Sequence, residues 1–156
     1  MAADYFQQCK EQPNLPIIFE DIMVLQISEE EFAFNGNINF VKPVGNPWKL
    51  NFQLTKCKSK ENPKSCSPSF KFSVDDICKK LPEKNQVWSG FVEDMNLNTK
   101  CPIQPKKYPI ENIKIGADSV KYFPVGAGYY KLKIEGFSNA NKLLCADIAF
   151  TIICKK

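Results

Sequence analysis

With 156 residues, 44% of them apolar and 24% charged, the chain has the size and composition of one folded domain, which excludes a two-lobed enzyme and extended disorder. Neither histidine nor arginine occurs, so all 21 basic residues are lysines, set against 17 carboxylates for a formal charge of +4. The first absence removes Ser-His-Asp and Cys-His relays and every His-containing zinc site; the second removes the planar fork that clamps phosphates and reads guanine edges. No nucleic-acid partner, cofactor or metal is therefore expected, and the lysine pairs at 79–80, 106–107 and 155–156 read as solvated surface.

Taken in chain order, Ile17 to Ile27 is almost continuously apolar and predicts a strand covered on both faces. Glu29-Glu30-Glu31 follows as a solvated run. Phe32, Phe34, Gly36, Ile38 and Phe40 alternate with period two, with a bulge or turn expected at Asn35-Gly36-Asn37. The same alternation returns at Trp48, Leu50, Phe52 and Leu54, and again at Phe70, Phe72 and Val74, where Asp75-Asp76 suggests capping. From Val87 to Met95 the rhythm changes: Trp88, Phe91, Val92 and Met95 fall on one helical face. Val120 to Tyr130 reads as an apolar loop in which Tyr122, Phe123 and Val125 surround Pro124. Its Gly126-Ala127-Gly128 fits a turn better than a phosphate cradle, because no following helix or catalytic lysine motif supports the latter. Tyr130, Leu132 and Ile134 then line one strand, Ser138 to Asn141 makes a turn, and Ala146, Ile148, Phe150 and Ile152 line the next, with Asp147 facing outward. The prolines fall mostly between these runs. The pattern predicts an all-β domain of about seven or eight antiparallel strands with one short helix.

Cysteines occur at positions 9, 57, 66, 78, 101, 145 and 154, which points to disulfides and an oxidising compartment. Their spacings lack the close pairs of a zinc site, and an odd number leaves one thiol free or intermolecular. No run is long and apolar enough to span a membrane, and no charged leader precedes an apolar stretch. If secreted, the chain is read as a mature form from which a signal peptide has been removed; the lysosomal lumen is the lesser alternative.

Trp48 to Leu54, the pair Cys57 and Cys66, Phe70 to Cys78, Cys101-Pro102, Gly128 to Leu132, and Lys142 to Phe150 together resemble the ganglioside activator family. These are lysosomal sphingolipid activators related to the wider ML-type lipid-recognition proteins, and the insect chemosensory CheB group looks similar. The resemblance implies an antiparallel β-cup whose two sheets splay around an apolar lipid cavity. It implies bridges Cys9–Cys145, Cys57–Cys66 and Cys78–Cys101, with Cys154 left as the free thiol. On residues alone, Cys9 pairing with Cys154 stays open. The family's further bridge inside the Cys78 to Cys101 loop is missing here, which leaves that loop less constrained.

From this resemblance the expected role is a secreted, non-enzymatic lipid-binding or transfer protein that presents an acyl-chain ligand to a receptor, a membrane or a lipid hydrolase. The expected lining is Trp48, Leu50, Phe52, Leu54, Phe70, Phe72, Val74, Tyr130, Leu132, Ile134, Ile148 and Phe150. Trp88, Phe91, Val92 and Met95 form one rim, Tyr122 and Phe123 another, and movement of either rim would release the ligand. The molecule would be a monomer or a Cys154-linked dimer. Two other readings remain: a secreted protein-binding module whose aromatics fill a solid core, and an enzyme relying on Asp, Glu, Lys or Tyr, for which no motif assembles.

Overall fold

The computed structural model describes residues 2–86, 88–115 and 126–153. Within them the chain forms β1 (Ala2–Gln8), β2 (Ile17–Gln26), β3 (Phe32–Phe40), β4 (Lys49–Cys57), β5 (Cys66–Val74), α1 (Ile77–Lys80), α2 (Ser89–Asp94), β6 (Lys106–Ile115), β7 (Gly128–Ser138) and β8 (Asn141–Ile152). The fold is all-β: a five-stranded antiparallel sheet ordered β1-β8-β7-β4-β5 faces a three-stranded one ordered β2-β3-β6. Tyr122, Phe123 and Cys154, all singled out by the sequence, lie outside the described residues, as does Val87. No helix among the described residues is long and apolar enough to cross a membrane.

The longest ladder is the β7–β8 hairpin, in register from Gly128 opposite Ile152 to Ser138 opposite Asn141, with Asn139 in the left-handed region at the turn. Here the alternation and the turn residues agree, and the expected hairpin forms. In β3 the expected irregularity is a bulge against β6 between Phe34 and Gly36.

The strand expectation for Ile17 to Ile27 needs correction. Register shifts between Glu20 and Met23, where Asp21 takes a positive φ of 53°. That shift puts both Phe19 and Ile22 against the core, so an apolar run that reads as continuous is two alternating segments joined by a bulge. β2 is an edge strand with no layer over its outer face, and Met23, Leu25 and Ile27 are exposed there. Two prolines also depart from the interstrand pattern: Pro68 lies in β5 and Pro109 in β6, both edge strands, where a missing amide donor is tolerated. Asp76 occupies the N-cap of α1, but in a left-handed conformation and with no side-chain cap bond; its carbonyl accepts from the Lys79 and Lys80 amides instead.

Three disulfides fasten the ends of these elements: Cys9–Cys145, Cys57–Cys66 and Cys78–Cys101. The first ties the chain after β1 to β8, the second closes the β4–β5 hairpin, and the third brackets the segment carrying α2. Such bridges form in an oxidising compartment.

Candidate functional site: the interior between the sheets

Strand register decides which side chains share the inner face. Opposite Phe52 stand Phe72 and Ile134; opposite Leu54 stand Phe70 and Leu132; opposite Leu132 stands Ile148, and opposite Tyr130 stands Phe150. Leu50 and Val74 extend the same face at one end. Eleven of the expected lining residues therefore form one continuous apolar wall on the five-stranded sheet. Rings reinforce it: Phe52 stacks on Phe72 with centroids 4.5 Å apart, and Tyr130 stacks on Phe150 at 5.7 Å.

Trp48 is placed differently. It belongs to a second apolar cluster with Ile17, Phe40, Val44, Ile77, Leu81, Ile103 and Tyr108, beyond the end of the main wall. Ile77 is held there by a hydrogen bond from its backbone N–H to the Trp48 carbonyl at 3.0 Å.

The sequence reading named one wall and missed the other. Phe19, Ile22 and Val24 of β2, Phe32, Phe34 and Ile38 of β3, and Ile110 and Ile113 of β6 pack against the same main cluster from the opposite sheet, joined by Phe6 of β1. Period-two spacing marked Phe32, Phe34 and Ile38 as one strand face. The bulges in β2 and β6 hid the remainder.

The two sheets approach most closely where β1 runs beside β2. There Phe6 meets Phe19 at 5.2 Å and Phe34 at 4.9 Å across the interior. Away from that edge five strands face three, and at about 4.8 Å per strand the small sheet falls about 10 Å short of covering the larger one. The uncovered side is that of β4 and β5, whose inward Leu50, Phe70, Phe72 and Val74 are only half-buried. Ile134 and Ile148 are also half-buried, although β7 and β8 are hydrogen-bonded on both sides. Ile38, on the middle strand of the small sheet, is half-buried as well.

The helix that the spacing predicts forms as α2, and its segment reaches both clusters. Phe91 stacks over Phe34 at 6.3 Å, and Met95 is buried in the main cluster. Trp88 and Val92 pack on the second cluster, and the Trp88 indole N–H donates to the Lys80 carbonyl at 3.1 Å. α2 itself packs against β6.

Among the described residues the buried side chains are aliphatic, aromatic, methionine or cysteine, so this interior is suited to removing apolar surface from water. The buried Tyr130 hydroxyl is used locally, donating to the Gly126 carbonyl at 2.9 Å. Titratable groups lie on the outer face of the large sheet, where Tyr5, Gln53, Thr55, Lys131, Lys133 and Asp147 border an open depression. Partial burial pushes the Asp147 carboxyl up, and Lys133 opposes the shift. Nearby, the Tyr129 phenol is pushed up to about 12, chiefly by burial and then by its 3.1 Å bond to Asp4.

Residues 50–132 match the family model described as "Protein of unknown function (DUF1091)". No curated protein matches the chain. Among solved structures, the chain is similar to β-glucosidase 3B from Thermotoga neapolitana in complex with glucose, at 12% identity and a TM-score of 0.33 over 88% of this chain; it spans 16% of that protein's length.

Proposed function

The chain belongs to the DUF1091 family, whose description names no activity, and from the geometry of its interior we propose that it is a non-enzymatic carrier that takes an acyl chain between its two sheets. The observation that carries this reading is the half-burial of Leu50, Ile134 and Ile148 on inner strands of the large sheet, and of Ile38 opposite. A sandwich sealed by its own side chains would bury these positions as completely as Phe32 and Phe34. The ganglioside activator resemblance supports the same reading, including all three disulfide pairings it implies.

Burial alone supplies the affinity. Each methylene leaving water gains about 0.8 kcal/mol, so about ten of them gain about 8 kcal/mol before the cost of ordering the chain. Trp88, Phe91, Val92 and Met95 form a lid over the interior, and its displacement at a membrane, a receptor or a lipid hydrolase would release the ligand. With its three disulfides the carrier would work outside the cell, in a transport or chemosensory role.

A second reading has one specific observation behind it. Phe6, Phe19 and Phe34 meet across the sheets, as they would in a protein-binding module with a filled core.

One substitution separates the two. Ile134→Phe adds volume to the inner face. In a hollow interior the variant keeps its thermal midpoint and loses uptake of a fluorescent long-chain fatty acid, while the unaltered protein carries lipid visible by native mass spectrometry. In a filled core the same change overpacks and costs about 1–3 kcal/mol, and the unaltered protein takes up nothing. The second pattern would overturn the carrier proposal.

A further inference from the structure

The charge of this chain is unevenly distributed. Between Lys10 and Lys42 there are six carboxylates and no lysine, whereas the remainder holds all 21 lysines against 11 carboxylates. The acidic stretch is the one that folds into β2, the turn after it, and β3. Met23 and Leu25 on the outer face of β2, and Ile27 just past its end, are 70%, 56% and 46% exposed. Successive outward positions on a strand are about 6.7 Å apart, so the three form a continuous apolar ridge rather than scattered surface residues. Acids stand at both ends of it. Asp21 precedes the ridge, next to a Glu20 that is already ion-paired to Lys107 of β6 at 3.1 Å; Glu29, Glu30 and Glu31 follow in a turn in which the Ile27 and Ser28 amides donate to the Glu31 carbonyl at 3.0 and 3.1 Å. The next strand contributes the neutral Asn35, Asn37 and Asn39.

We propose that this ridge is a docking surface for a partner protein that presents an apolar groove flanked at both ends by lysine or arginine. A second copy of the chain is the wrong occupant. Pairing the ridge with itself about a two-fold axis runs the strands antiparallel, which sets Asp21 of one copy against the Glu29 to Glu31 turn of the other. An anionic membrane is disfavoured by the same acids. A basic protein surface satisfies both the ridge and its ends, and electrostatic steering would speed the encounter. The ridge is small beside the roughly 800 Å² per partner of a stable complex, so it serves as the anchor of a transient one. The inference is independent of what the interior holds.

The test uses a short peptide of alternating lysine and leucine as the stand-in for a basic strand, with the glutamate-leucine counterpart as control. In NMR titrations of the labelled protein, the lysine peptide is expected to shift the amides of Met23 to Glu31. The double variant Met23→Ser, Leu25→Ser, with its fold checked by circular dichroism, should bind about tenfold more weakly, and added salt should weaken the unaltered protein further. Shifts mapping elsewhere, equal binding of the glutamate peptide, or undiminished binding by the double variant would overturn the proposal. So would dimerisation, or partition onto phosphatidylglycerol vesicles, that the double variant abolishes, because the occupant would then be a second copy or a bilayer.

Discussion

At Gly36 the backbone adopts a φ of 149°, and a Cβ there would stand 2.7 Å from Ile22 Cδ1 and 2.9 Å from the carbonyl oxygens of Glu20 and Asp21. Two of those contacts are backbone and cannot give way cheaply. Gly36→Ala is expected to cost about 1–3 kcal/mol, read as a lowered urea midpoint with an unchanged slope. Asp147 poses the opposite case. Burial, with help from Glu11 and Glu135 and against Lys133 and Lys131, raises its carboxyl above the usual value. The folded state therefore holds the proton more firmly than the unfolded chain does. Stability from this group is present below the unfolded pKa and is lost as pH rises through the folded one. Asp147→Asn removes the charge that burial disfavours, so the variant is expected to melt above the parent at neutral pH and with it in strong acid. Thermal midpoints measured across that range check the sign; a gap that did not change with pH would point to packing instead.

Elements differ in how plainly the sequence announces them. β4, β7 and β8 alternate without interruption along their inner faces, and the helical spacing of Trp88, Phe91, Val92 and Met95 survives as α2. β1 and β6 escaped notice for physical reasons. β1 contributes one large buried side chain, Phe6, among small and polar neighbours. β6 carries Pro109 and a positive φ at Asn112, and the bulge opposite Phe34 and Gly36 breaks the parity between Ile110 and Ile113. Because those strands and the bulged β2 build much of the second wall, only half of the candidate site was legible. The Cys78–Cys101 bridge belongs to this scale as well, since it joins α1 to the chain beyond α2. Replacing both cysteines by serine is expected to cost about 3 kcal/mol. Hydrogen exchange should quicken in residues 79–100 while the β7–β8 ladder keeps its protection; uniform loss across both would mean that the bridge supports the whole fold.

For the molecule as a whole, composition excluded more than it identified: the missing histidine and arginine removed relay, zinc and base-reading chemistry, and the cysteines anticipated the bridges. What composition could not foresee was the unequal width of the sheets. That inequality depends on which strands pair across long loops, and no local periodicity records it. The same architecture puts every carboxylate and amine of the described residues outside the apolar clusters. Acidification of the surroundings, from a neutral fluid to an endosome-like compartment, is therefore expected to alter the rind of this protein and to leave its described lining residues chemically the same. If the interior takes an acyl chain as proposed, its release would rest on mechanical opening, since none of the described lining residues is a carboxylate or an amine that protons could act upon.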